Sequence, residues 1–469
     1  MPEDKADYMR RSRLPILPMT GSERRATAGL AGIYALRMLG LFLILPVFAL
    51  YAQDMAGATP LLIGIAVGAY GLTQAVFQIP FGMLSDRIGR KPVIFGGLVL
   101  FALGSLVAAL AEDIEGVIFG RMLQGSGAIA AAVMALTADL TREEVRTHAM
   151  AGIGVSIGAA FASALVLGPM LGHWIGLVGI FWLTAALAVG GMLILALVVP
   201  TPVRSSVHWD AEPVASQLGR VLKARELVRL DLGVLILHTI KTSLFLVIPW
   251  SLERQGLEAA HHWQIYLPVL LLSMGVMVPF IIQAERKERL KPVFLGAVLV
   301  LVLGLAGFYL FDAGLPWLGF LLFLFFIAFN LLEAALPSLI SKLAPADAKG
   351  TAMGVFATSQ FAGAFCGGLL GGWVHQVYGM DAVFLLGAAL AVVWFLVARP
   401  MVSPRPVSGQ VVQIRAGTAG EGADFERRLL EIPGVEEAVV AMDEGLAYLK
   451  VDRVRLDWTE LKNHTLHSG

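Results

Sequence analysis

The sequence predicts an all-α membrane protein. It calls for twelve transmembrane helices in two pseudo-symmetric six-helix bundles, followed by a small α+β domain. Three observations carry this reading. The 469-residue chain is 57% hydrophobic and only 15% charged, with mean hydropathy +0.76. A soluble protein carries about 25% charged residues, so a surface this poor in charge must be solvated by lipid. Apolar runs of about 20 residues, the length that crosses a bilayer as helix, recur twelve times. The two halves of the chain also resemble each other weakly.

The spans fall at 27–51, 60–84, 92–111, 116–139, 147–171, 177–200, 229–250, 263–284, 292–311, 316–341, 350–375 and 381–399. They are helices because lipid offers no partners for free backbone groups, and a helix satisfies its own. The alternation of a membrane barrel is absent. The loops after spans 2, 4, 6, 8 and 10 carry 3, 2, 5, 4 and 2 basic residues, whereas the loops after the odd spans carry one, Arg254. The positive-inside rule therefore places both termini in the cytoplasm. The first ~26 residues are charged, and the apolar run after them is too long for the core of a cleavable signal peptide. With 35 basic and 35 acidic residues there is no net field to attract nucleic acid. One cysteine, Cys366, excludes an intramolecular disulfide and any Cys-Cys metal site.

These runs divide the chain into an N-terminal segment (1–26), a first bundle (27–200), a linker (201–228), a second bundle (229–399), a short linker (400–408) and a tail domain (409–469). In the long linker, Val214, Leu218, Val221 and Leu222 stand beside Arg220, Lys223 and Arg225. That spacing fits a short amphipathic helix on the inner leaflet, serving as a connector or a binding element.

The repeat is read from two offsets. Pro80-Phe81 followed by Asp86-Arg87 and Arg90 matches Pro279-Phe280 followed by Glu285-Arg286 and Arg289, at an offset of 199. Arg146, Ala149, Met150 and Gly168 match Lys349, Ala352, Met353 and Gly371 at an offset of 203. A six-helix unit duplicated in parallel places a pathway between two bundles, and rocking them opens it to one side at a time.

Between spans 2 and 3 the chain reads Gly82-Met83-Leu84-Ser85-Asp86-Arg87-Ile88-Gly89-Arg90-Lys91-Pro92. This resembles the signature loop of the major facilitator superfamily, Gly-x-x-x-Asp-Arg-x-Gly-Arg-Lys, and the resemblance extends over about residues 27–400. Basic residues alone would serve as topology determinants, but Asp86, Gly82 and Gly89 would not be needed for that. The resemblance implies a conformational latch. Asp86 would face the positive N-terminus of span 11, near Gly350-Thr351. Arg90, one turn from Asp86, would reach Asp139 at the end of span 4. The second copy has Glu288 in place of the second glycine, so its turn differs.

Span 4 contains Arg121-Met122-Leu123-Gln124-Gly125-Ser126-Gly127. This is similar to the family's Arg-x-x-Gln-Gly motif, whose arginine is associated with proton coupling. A structural pairing would explain Arg121 as well. Span 5 runs from Gly158 to Gly168-Pro169 through small residues and resembles the superfamily's antiporter signature, with His173 where a second glycine is usual. It favours export over uptake.

Other polar residues lie within spans: Arg37 in span 1, Gln74 and Gln78 in span 2, His238 and Lys241 in span 7, Asn330 and Glu333 in span 10, and Gln360 in span 11. In this family spans 1, 4, 7 and 10 line the central cavity, which puts Arg37, Arg121, Lys241 and Glu333 there. Ionisable groups inside a membrane are costly and mark functional sites. Glu333 is expected to be the one carboxylate well within a span. It is a candidate carrier of the coupling proton, or a static partner of Lys241 or Arg37. Three cations against one carboxylate suggest an anionic or neutral substrate.

The tail changes character. Pro400, Pro404 and Pro406 stiffen a linker; Val411–Ile414 reads as a strand; Phe425, Leu429, Leu430 and Ile432 mark an amphipathic helix stopped at Pro433-Gly434. Val435–Ala441 and Leu446–Val451 read as strands joined at Asp443-Glu444-Gly445, and Trp458–Leu466 as a helix. The order β-α-β-β-α is ferredoxin-like, with a last strand short or missing. Ile432–Val439 is similar to heavy-metal-associated domains. Their Cys-x-x-Cys is replaced here by Ala416–Gly422, which excludes soft-metal binding by that route. A major facilitator core with such a tail resembles the YajR group of bacterial inner-membrane transporters, with an accessory role for the tail or a direct one in transport.

The expectation is a secondary transporter that exports a small molecule against protons, needing the bilayer and the proton gradient but no cofactor, nucleic acid or ATP. No Gly-x-x-x-x-Gly-Lys-Ser/Thr phosphate loop occurs, and no Ser-His-Asp or metal-ligand cluster suggests an enzyme. Proton-coupled uptake, and a membrane sensor signalling through the tail, are the competing expectations.

Overall fold

The computed structural model describes residues 18–201, 215–286, 289–311, 313–402, 407–414, 419–442, 445–452, 455–458 and 460–461. The expected features at Val214, Lys287-Glu288, Pro404, Pro406, Ala416–Thr418, Asp443-Glu444 and most of the last helix lie outside them.

The first half runs through α1 (Gly21–Phe42), α2 (Pro60–Ile88), α3 (Arg90–Leu110), α4 (Ile114–Ser126), α5 (Ala130–Leu140) and α6 (Glu143–Leu197). The linker holds α7 (Ala215–Lys223). The second half contains α8 (Arg225–Arg254), α9 (Trp263–Arg286), α10 (Leu290–Leu310), α11 (Leu315–Leu343), α12 (Lys349–Tyr378) and α13 (Asp381–Ala398). Ten stretches of the described residues are long and apolar enough to cross a membrane, counting α4 and α5 as one. One of them holds two crossings, because α6 turns at Gly176 (φ 66°). With α1, whose path continues through turns to Phe48–Tyr51, this gives two sets of six.

Local chemistry sets the ends. Thr20 and Glu23 form a capping box at the start of α1. Thr59 caps α2 ahead of Pro60, and Asp113 caps α4. Gly89 separates α2 from α3 at φ 96°, a conformation that suits glycine alone. Pro80 and Pro279, the paired prolines of the repeat, both stand inside long helices.

Span 4 departs from expectation. A single helix over 116–139 is predicted, but the helix stops at Ser126 and restarts at Ala130. The break is closely packed: a Cβ on Gly127 would sit 2.2 Å from the carbonyl oxygen of Gly97 on α3.

The two halves meet most closely where α2 crosses α12. Gly64, Gly68 and Gly71 face Gly368, Gly372 and Phe365, and a Cβ on Gly64 would lie 2.1 Å from Gly368 O. Such small residues let helix backbones touch. Leu61 N donates to Gln376 Oε1 at 3.2 Å in the same seam. This contact lies toward the face opposite the Gly82–Arg90 loop. A cavity of about 710 Å³ opens beside it, lined from both halves by Gln53, Thr59, Trp250, Glu253 and His375 among others.

The amphipathic α7 is present, and its polar side docks on protein. Gln217 Nε2 donates to Asp347 O at 2.8 Å, Thr351 Oγ1 donates to Gln217 Oε1 at 3.0 Å, and Arg220 pairs with Asp347. The linker thus docks beside the first turn of α12 through side chains.

Beyond α13, β1 (Val407–Gln413), α14 (Ala419–Glu431), β2 (Val435–Ala441) and β3 (Leu446–Asp452) form a three-stranded antiparallel sheet in the order β1-β3-β2. That is the ferredoxin-like arrangement without a fourth strand among the described residues. Ile414, Leu429, Ile432, Ala447, Leu449 and Val451 fill its core. Glu437 of β2 accepts from Ala346 N at 3.1 Å, joining the sheet to the loop before α12.

Candidate functional site

The polar residues predicted to line one cavity fall into two clusters. In the second half, α11 presents Glu333 to His238 on α8, with His238 Nε2 3.2 Å from Glu333 Oε2. One turn on, Lys241 Nζ lies 2.8 Å from His238 Nδ1. The ring thus lies between a carboxylate at Nε2 and an amine at Nδ1. Gln360 of α12 donates to Glu333 Oε1 at 2.9 Å and also touches the ring nitrogen of His238 at 2.9 Å. His238 is buried, while the Glu333 side chain is 38% exposed. The carboxylate is therefore the accessible end of a chain whose inner end is Lys241, packed 5.9 Å from the Phe329 ring centroid. Asn330 shares the helix with Glu333 but turns to Ser273 Oγ at 3.1 Å and takes no part.

Sequence reasoning leaves Lys241 or Arg37 as the static partner of Glu333. The structure puts His238 and Gln360 there, with Lys241 behind the ring. A second carboxylate, Asp231, is buried (8% exposed) in the second turn of α8, with Oδ1 lacking a hydrogen-bond partner among the described residues. Its nearness to the span boundary hides it in the sequence.

Arg37 stands in the first half, fully buried. Its Nη2 donates to Gln74 Oε1 at 2.9 Å and to Gly127 O at 2.8 Å. Gln74 continues to Gln78 Oε1 at 2.8 Å. Arg121 Nη1 donates to Gln124 Oε1 at 2.8 Å, and Gln124 Nε2 to Ser105 Oγ at 2.7 Å. The Tyr70 ring lies between the two guanidinium groups, 5.8 Å from Arg37 and 5.3 Å from Arg121. Arg37 thus packs inside the first half on polar helix neighbours. Ser105 carries no sequence signal, because a lone serine in an apolar helix is commonplace.

At the loop between α2 and α3, Arg90 is buried. It pairs with Asp86 and donates to Ser85 Oγ at 2.9 Å, while its Nε lies 3.4 Å from Asp139 Oδ2. Asp86, 30% exposed at its side chain, is thus held by Arg90 of its own half, while Thr351 in the first turn of α12 donates to Gln217. The Gly82 carbonyl accepts from Ser85 Oγ at 2.7 Å, and Arg87 is exposed. Nearby, Arg142 donates from Nε to Glu23 Oε1 at 2.9 Å. That guanidinium holds the Glu23 carboxyl down to about 2 from its usual 4.5, with burial pulling the other way.

In the antiporter-type stretch, Gly168 is a close contact: a Cβ there would sit 2.7 Å from Leu43 O. Pro169 follows inside α6, and Gly158 faces open space. Among the described residues no group of three His, Cys, Asp or Glu side chains could hold a metal ion.

The family model of the Major Facilitator Superfamily matches residues 30–366 and 289–420. The chain belongs to the major facilitator superfamily. It is 50% identical over 436 residues to the inner membrane transport protein YajR of Escherichia coli K12, covering 92% of this chain and 95% of that protein. It is 28% identical over 346 residues to the multidrug resistance protein MdtH of Aeromonas hydrophila, covering 72% and 85% respectively. Among solved structures it is similar in fold to a point mutant of the nucleoside transporter NupG, with TM-score 0.65 and 14% identity, covering 80% of this chain and 99% of that one. The fold is that of a membrane transporter close to the YajR group.

Proposed function

We propose that this major facilitator protein is a proton-coupled exporter, an antiporter that moves a small molecule outward by alternating access. It sits in the bacterial inner membrane with both termini in the cytoplasm. The observation that carries the reading is the buried chain Glu333–His238–Lys241, reinforced by Gln360. Its carboxylate is reachable and its inner end is basic, so a proton added at Glu333 removes the charge that faces His238 and loosens the tie between α8, α11 and α12. Loading and unloading the proton thus biases the packing of the helices that line the pathway. The multidrug resistance name of the MdtH relatives supports export, as does the resemblance of the stretch from Gly158 to Gly168-Pro169 to the antiporter signature. The duplicated bundles and family membership favour transport over a sensor that moves nothing.

The test is flux in proteoliposomes under an imposed pH gradient, screened across small-molecule classes. Glu333→Gln keeps the shape and removes the titratable group. It is expected to insert and fold normally, and to lose proton-driven flux by about tenfold or more while retaining exchange of substrate for substrate. Wild-type proton-driven flux at every pH in that variant would rule Glu333 out. Substrate moving with the proton rather than against it would assign uptake instead.

A further inference from the structure

The cavity of about 710 Å³ opens on the face of the molecule opposite the signature loop. Small-molecule pockets span about 300–1,000 Å³, so it has room for one ligand. Its walls come from both halves: Gln53, Thr59 and Ile63 from the first, and Trp250, Glu253 and His375 from the second. It stands beside the seam where Gly64 packs on Gly368. Glu253 lies 15 residues beyond His238 on α8, about 22 Å of helix. The cavity mouth is therefore a separate place from the Glu333 chain.

Its lining has a definite polarity. Leu246, Trp250 and Glu253 recur at i, i+4 and i+7 on α8, so one helix face presents an aliphatic, an aromatic and an acidic group in order. Leu246 and Ile63 are buried, whereas Glu253 reaches solvent. Glu253 is the one acid in the lining, and among the described residues no Lys, Arg or His side chain stands within ion-pair distance of it. The neighbouring cation, Arg254, is already engaged, with Nη1 3.3 Å from Asp381 Oδ1. An anion entering here would meet the repulsion of Glu253 and an arginine that is taken. A cation with an apolar body meets the opposite: a carboxylate for its charge, an indole whose face attracts that charge, and an aliphatic interior for the rest.

We propose that this cavity is a regulatory site for a small organic cation, a protonated amine carrying one apolar ring, and that the bound cation holds the α2–α12 seam shut. The two walls belong to different halves. Rocking that parts Gly64 from Gly368 would also part Thr59 from Trp250 and His375. A ligand that needs both walls binds the packed arrangement and, by reciprocity, favours it. The site stands apart from the export reading and does not depend on the direction or coupling of transport.

The test uses the full chain in nanodiscs, with 2-phenylethylammonium as probe and phenylacetate as its matched anion. Thermal unfolding is followed at constant ionic strength. The cation is expected to raise the midpoint saturably, and phenylacetate to leave it unmoved. Glu253→Gln weakens the apparent affinity for the cation about tenfold, the size of one charge-assisted contact. Trp250→Leu weakens it severalfold. Glu258→Gln removes an exposed carboxylate outside the cavity and keeps wild-type affinity. The hold on the seam is read by spin labels at the ends of α2 and α12 on this face, whose distance distribution should narrow with saturating probe. No saturable response to the cation, an equal response to phenylacetate, or wild-type affinity in Glu253→Gln overturns the site. An unchanged distance distribution at saturation overturns its hold on the seam. If Glu253→Gln does not fold, Trp250→Leu and the phenylacetate comparison decide. Each of these outcomes leaves the Glu333 flux test untouched.

Discussion

The Glu23 carboxylate shows what one buried ion pair contributes and where that contribution ends. Glu23 closes the capping box of α1 and also accepts from Arg142 through the guanidinium and the main chain. Glutamine preserves a capping box, so Glu23→Gln removes the charge and leaves the cap. Because the Arg142 side chain is 44% exposed, the loss at neutral pH should be modest, about 1 kcal/mol. The folded carboxyl titrates near 2 against an ordinary 4.5. Its stabilisation is therefore complete above the ordinary value and lost as pH falls toward the folded one. The stability gap between wild type and Glu23→Gln should be level from about pH 5 to 7 and shrink steadily below. Thermal unfolding in detergent across that range checks this, and a gap undiminished at about pH 3 would refute it. At this scale the sequence tells which residues are unusual and not whom they meet. Glu333, Lys241 and Arg37 are legible because charge inside a span is rare. Their partners lie far along the chain, as His238 and Glu333 do at 95 residues apart, and only the packing of helices decides between them.

The helices themselves are legible because membrane thickness fixes their length, and the twelve predicted runs fall on the observed ones. The break in span 4 is not. Gly125-Ser126-Gly127 weakens a helix without dictating a stop, and the close approach of Gly127 to the backbone of Gly97 cannot be seen along the chain. The amphipathic α7 is visible as a pattern, but its docking beside α12 through Gln217 depends on Asp347 and Thr351, 130 and 134 residues further on. The α2–α12 seam offers the sharpest test at this scale. Gly64 leaves no room for a methyl group, since the obstruction is the backbone oxygen of Gly368 at 2.1 Å. Gly64→Ala should therefore force the two helices apart on that face, at an overpacking cost of about 1–3 kcal/mol. A shift of that size changes a two-state population by roughly ten- to a hundredfold. In a background with Cys366→Ser, a cysteine placed at Thr59 beside the seam should react with a membrane-impermeant maleimide severalfold faster once Gly64 is alanine. An unchanged rate would mean that the seam does not gate that face.

For the molecule as a whole, the seam and the signature loop lie at opposite ends of the same helix, and the structure catches them in different conditions. The Gly64 end of α2 is packed on α12. At the Asp86 end the carboxylate is turned to Arg90 within its own half, and the Thr351 hydroxyl in the first turn of α12 donates to Gln217 of the linker. Rocking the halves about their middle would open the first contact and bring Asp86 toward the first turn of α12, where the helix dipole favours a carboxylate. The charge of Asp86 in that position is worth about 1–2 kcal/mol, enough to bias the two arrangements roughly tenfold. Asp86→Asn keeps the shape of the side chain and leaves Arg90 with Asp139, so the fold should survive. The variant should spend more time open on the signature-loop face and turn over several times more slowly. Spin-label distances between the ends of α2 and α12 on that face read the first effect, and substrate flux at saturating gradient reads the second. If the distance distribution and the flux both match wild type, Asp86 does not latch the halves, and the shape of the loop must serve the packing of the first half through Arg90 alone.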